Sequence, residues 1–305
     1  MATRFLPGTL ACLGLFAVAA PVPGGGGGWQ VVRSAHFVVR TDAAPEAYGP
    51  VVARLEEVHQ ALTAVFFPDL PIDNIDVLLL GRRAQFERLA PAGLVGFFTS
   101  RLPAFPDGLL VFSADTGGAD AGLVARTAAH ELAHRFLLEA SARAPAWLHE
   151  GFAMYVGGLQ VDGGVARFDR ADSPYRTITE RVPLRSLFAA SAGGLHGSDL
   201  HAQYLTAWLL VRELLAGGRP DALDRFQRLV ARSSLSPSVE HQTAAVEEAF
   251  PGVTLDDVEA AIAAAPLDRR PTFSAALAPG PEGPLATERG DGDSIEQILA
   301  ELAAR

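Results

Sequence analysis

The chain has 305 residues, 49% of them hydrophobic and 20% charged, a balance that excludes a disordered polymer and allows one large domain or two small ones. Its formal net charge is −10 and no basic residues cluster, which argues against a nucleic-acid partner. Cys12 is the only cysteine, so a chain that loses its first twenty residues has no thiol for a disulfide or for metal ligation.

Residues 1–20 have the form of a secretory signal peptide. Arg4 supplies the positive end, residues 9–20 are the apolar stretch, and Ala17-Val18-Ala19 is a small-residue cleavage site. The apolar run is short for a membrane span. The expected location is therefore secreted or periplasmic, with no stable span after cleavage; an uncleaved N-terminal membrane anchor is the alternative. Residues 21–28 are a Pro/Gly linker.

From there the chain reads as strands first and helices after. Residues 29–40 alternate and are β-branched, a strand or hairpin. Val51, Leu55, Val58, Leu62 and Val65 give residues 45–67 helical apolar spacing, ended by Pro68. Residues 75–80 form a short buried-strand run, 82–89 a short helix, and 96–100 and 109–113 two further strands. Helices are then predicted over residues 120–140 with Asp120 as cap, 145–158 with Pro145 in its first turn, 200–215 stopped by Gly217-Gly218, 221–230, 238–250 and 255–264. Residues 267–293 are Pro/Gly-rich and charged and are expected to be largely unstructured before a short terminal helix near 294–304. This order predicts an α+β fold, a small N-terminal sheet followed by a helical half, with one domain over 29–265 and a tail over 266–305.

The chemistry concentrates in His130-Glu131-Leu132-Ala133-His134. On a helix, His130 and His134 share a face at i, i+4 and can bind one Zn²⁺. Glu150, in Pro145-Ala146-Trp147-Leu148-His149-Glu150-Gly151-Phe152-Ala153, can add a third ligand from a second helix. Three protein ligands leave a fourth position for water, as in catalytic rather than structural zinc sites. Glu131 is then the general base toward that water. Zn²⁺ follows from ligand type, which Co²⁺ or Mn²⁺ also suit. The remaining histidines His36, His59, His196 and His241 have no ligand-type spacing and read as surface or packing residues.

The segment HELAH followed by PAWLHEGFAMYV resembles the gluzincin clan of zinc metallopeptidases, specifically the peptidase MA-like domains of secreted bacterial proteins. The resemblance covers residues 121–156, with a weaker match over 203–215. It implies a thermolysin-like arrangement with the zinc helix in a cleft, and a peptide or protein substrate. It also implies His130, His134 and Glu150 as ligands, Glu131 as base, and Trp147 and Phe152 as packing residues. Tyr204 matches the tyrosine that steadies the oxyanion in relatives; His201, one turn earlier and able to share its helix face, is a weaker candidate for that role. His149 stands where the family often has Asn and is a spectator, a substrate contact or a competing ligand. Residues 93–111 contain no Glu, so the carboxylate that grips a free amino terminus in the clan's aminopeptidases is missing, which favours an endopeptidase. The alternative from another class is a catalytically silent, zinc-stabilised surface binding module of the same fold. A self-inhibited enzyme with the Pro-rich tail in its cleft is a third.

Overall fold

The computed structural model describes residues 28–90, 93–100, 102–115, 121–168, 180–192, 194–215, 221–264, 273–278 and 285–304. The signal-peptide and linker assignments, Asp120 and Gly217-Gly218 lie outside them, apart from Gly28. The protein is mixed α+β, an N-terminal sheet followed by helices. Two compact units emerge: a sheet unit of the described residues in 28–63, 69–135 and 277–304, and a helical unit of those in 64–68 and 136–276.

The sheet unit is built on β1 (Gln30–Arg33), β2 (Phe37–Thr41), α1 (Pro45–Val65), β3 (Ile75–Leu80), the one-turn α2 (Arg83–Phe86), β4 (Gly96–Thr99) and β5 (Leu109–Ser113). β9 (Ala286–Arg289) and α10 (Gly292–Ala303) complete it. Strand order is β4-β5-β3-β2-β1-β9. β2, β3 and β5 are mutually parallel, and the edges are antiparallel. β3 is the continuous apolar run Ile-Asp-Val-Leu-Leu-Leu because it lies inside the sheet with both faces covered. Its side chains alternate. Leu78 and Leu80 pack with Phe86, Phe105, Val111 and, from α10, Ile295 and Ile298. Phe37 meets His59 of α1 edge-on, at 6.0 Å between ring centroids, and pairs in register with Ile75. α1 therefore covers the face carrying Ile75, Val77 and Leu79.

The C-terminal segment departs from expectation. Residues 273–276 and 286–289, expected to be unstructured, are strands. β9 pairs with β1 from Gln30↔Arg289 to Arg33↔Ala286, with the Gly290 N–H donating to the Trp29 carbonyl at 2.7 Å. α10 buries Ile295, Ile298 and Leu302. Four-residue strands whose partners lie more than a hundred residues away carry almost no local signal, so composition alone misread them.

The helical unit contains α4 (Ala146–Gly157), the hairpin β6 (Gln160–Asp162) and β7 (Val165–Phe168), α5 (Leu184–Ser191), α6 (Leu200–Leu215), α7 (Ala222–Ser233), α8 (Val239–Ala249), α9 (Leu255–Ala264) and β8 (Phe273–Ala276). The hairpin turns on Gly163 and Gly164, both at positive φ (56° and 72°), the backbone of a tight two-residue turn. β8 adds to β7 as a third strand. Phe66 anchors the core, meeting Phe152 and Phe168 edge-on at 5.1 Å and Phe226 at 5.8 Å. Among the described residues, no helix is long and apolar enough to cross a membrane.

α4 and α6 approach until backbone meets backbone. A Cβ on Gly151 would lie 2.4 Å from the Ala207 carbonyl oxygen, so only glycine lets these helices close. Gly151→Ala is expected to destabilise the protein by about 1–3 kcal/mol, the usual effect of overpacking a dense core. Urea denaturation would show a lowered midpoint at unchanged slope.

Candidate metal centre

α3 (Ala121–Ala140) has no glycine or proline between Leu123 and His134, and its i, i+4 spacing does what helix geometry requires. The Nε2 atoms of His130 and His134 stand 3.2 Å apart. Their rings are 4.8 Å between centroids at 83°. Two nitrogens bound to one tetrahedral zinc at ordinary bond lengths lie about 3.3 Å apart. The spacing therefore suits a shared cation without a change of backbone.

Residues 141–145 join α3 to α4, and Pro145 opens α4 in an extended conformation at φ −69°. Its carbonyl accepts from the Leu148 and His149 amides at 3.0 and 3.1 Å, which starts the first turn with proline's missing N–H outside the helix. α4 is apolar on nearly every side and is buried from Ala146 to Ala153. Glu150 rides on it at 5% exposure. One ligand atom from each of His130, His134 and Glu150 lies within 4.8 Å of the others. The structure thus brings together the three residues read from the sequence as metal ligands, and two imidazoles with one carboxylate are a donor set suited to Zn²⁺ and its neighbours.

Polar contacts fix the start of α4. The Trp147 backbone N–H donates to Ser191 Oγ at 2.9 Å, and its indole N–H donates to Gln242 Oε1 at 3.0 Å. Gln242, fully buried, spends its amide N–H groups on the Ser233 and Ser236 carbonyls at 2.8 and 2.6 Å. Trp147 and Phe152 are fully buried, in accord with a packing role. Tyr155 also packs, stacked on Phe168 at 6.1 Å.

Glu131 is half-buried on α3, directly after His130. Tyr204 is half-buried on α6, three residues before Ala207, where α6 touches α4 beside Glu150. His201 is exposed at the start of α6. His149 lies outside the three-residue group and inside the core at 5% exposure. Burial pushes its pKa down from 6.5 to about 4, so it is neutral at pH 7. The polar clamp on Trp147 and the Gly151 contact were not anticipated. The only sequence signal for the latter is a glycine inside an otherwise apolar helix.

No protein-family profile matches the chain, and no curated protein matches it.

Two measurements follow from this geometry. His134→Ala removes one ligand of a three-residue set, and binding of Co²⁺ at this centre, followed by its visible absorption, should weaken by at least about 100-fold. His149 titrates near 6.5 unfolded and about 4 folded, so unfolding takes up a proton in that window. The contribution of His149 to stability is full above pH 6.5 and is lost as pH drops toward 4, about 3 kcal/mol over the whole window. Urea denaturation of metal-free protein at a series of pH values should show this slope in the parent and a flatter one in His149→Asn.

Proposed function

We propose that this chain is a zinc-dependent metallopeptidase of the gluzincin type, with a thermolysin-like arrangement around its zinc helix, acting as an endopeptidase on peptides or proteins. The observation that carries the reading is the convergence of His130, His134 and Glu150, with the two imidazole nitrogens 3.2 Å apart. His130, His134 and Glu150 would hold the cation, which when bound would supply Lewis acidity and bring the pKa of nearby water toward neutrality. Glu131 takes a proton from the attacking water on its carboxylate and returns it to the leaving amine nitrogen, so the peptide C–N bond breaks with protons balanced. Tyr204 donates its hydroxyl hydrogen to the oxyanion that develops on the carbonyl. The amine end of the substrate meets no Glu from residues 93–111, which fits internal cleavage. The form of residues 1–20 supports action in a secreted or periplasmic setting.

Glu131→Gln keeps size and hydrogen bonding but cannot accept the proton. It should retain the metal and lose cleavage of denatured casein by about a thousandfold. Cleavage at the parental rate would remove Glu131 from the mechanism. A parent protein that takes up zinc and cuts no unfolded substrate would instead be the silent binding module.

A further inference from the structure

A second group of the same chemistry lies in the sheet unit, where the sequence offered only scattered histidines. His36 closes the turn between β1 and β2, His59 sits on α1, and Asp73 belongs to the loop entering β3. One ligand atom from each of the three lies within 4.8 Å of the others. The rings of His36 and His59 stack at 3.9 Å and 18°. His36 Nε2 is 3.9 Å from Asp73 Oδ1, too long for a hydrogen bond.

Each imidazole is held by its other nitrogen. His36 Nδ1 is 2.6 Å from Glu56 Oε2, and the His36 backbone N–H donates to Glu56 Oε1 at 3.0 Å. His59 Nε2 is 2.7 Å from the Ile72 carbonyl. A carbonyl only accepts, so His59 Nε2 carries the hydrogen, and the lone pair of the neutral ring is on Nδ1. On His36 the carboxylate selects Nδ1–H and puts the lone pair on Nε2, toward Asp73. A carboxylate behind one ring and a main-chain carbonyl behind the other are the supports that orient metal-binding histidines. The backbone fixes their spacing too. The Ile75 N–H donates to the His36 carbonyl at 2.8 Å, tying the His36 turn to the Asp73 loop, and Asn74 takes φ 55° at the bend between them.

We propose that His36, His59 and Asp73 form a second binding site for a divalent transition cation of the Zn²⁺, Co²⁺ or Ni²⁺ class, independent of the α3–α4 centre. Glu56 is its positioning residue. Asp73 is exposed, at 61% for its side chain, and His59 is buried at 5%, so the ion enters from the Asp73 side and keeps water on that side. Coordination requires the His36 ring to turn from its present stack on His59 while its Nδ1 stays on Glu56. The cation ties the start of β2, α1 and the approach to β3 into one unit, so its occupancy raises thermal stability.

The test titrates chelator-stripped full-length chain with Co²⁺, by visible absorption and equilibrium dialysis, alongside thermal unfolding. The parent should bind two ions per chain, and Asp73→Ala, His36→Ala and His134→Ala one each. The Asp73→Ala/His134→Ala double variant should bind none. In the His134→Ala background, Co²⁺ should still raise the melting temperature, and adding Asp73→Ala should abolish that rise. Glu56→Gln should weaken this site by about 10- to 100-fold. Asp73→Ala and His36→Ala that bind as much Co²⁺ as the parent, or His134→Ala that binds none, would overturn the second site. A parent binding one ion that is lost with Asp73→Ala and kept with His134→Ala would spare this site and remove the α3–α4 centre instead. Because Asp73 is exposed, parent against Asp73→Ala decides the matter even if another variant fails to fold.

Discussion

A carboxylate inside a protein interior needs compensating charge or donors, because leaving it bare costs several kcal/mol. Glu150 stands under that constraint, on a helix buried over most of its length. The groups brought to it are imidazoles. The two ring nitrogens are 3.2 Å apart. Under the proposed function, a divalent ion at this point would satisfy two nitrogen lone pairs and the carboxylate together, and the burial of Glu150 and the spacing of the histidines would answer one requirement.

The placement of α4 follows from contacts with little tolerance. Gly151 lets α6 approach to backbone distance, and the Trp147–Gln242–Ser233 chain of hydrogen bonds sets the helix start against α5 and α8. Directional bonds and a steric stop define a position more sharply than apolar area does. That difference matters for a ligand, since coordination tolerates errors of only a few tenths of an ångström. The neutral, buried His149 beside Glu150 adds no charge to this environment at pH 7.

The two histidine groups arise by different routes. His130 and His134 are neighbours because one helix turn makes them so. His36, His59 and Asp73 come from a turn, a helix and a loop, and meet only because α1 packs over β2 while β2 and β3 run parallel in register. In the second group the rings are supported by Glu56 and by the Ile72 carbonyl.

Short-range periodicity is legible without the fold. The helices now seen at Leu200–Leu215 and Leu255–Ala264 keep the bounds expected of them, and Ala121–Ala140 ends where expected. The HELAH pairing was legible for the same reason, since i, i+4 contact is intrinsic to an α-helix. Glu150 was read from the sequence as the third member of the group, on the next helix, and the fold places it with the two histidines. Long-range packing set the rest. It assigned β8 and β9 to sheets within a stretch whose composition suggests disorder, because a short strand is defined by its partner more than by its own residues. It also assembled the His36, His59 and Asp73 group, because residues far apart in sequence become neighbours only through packing.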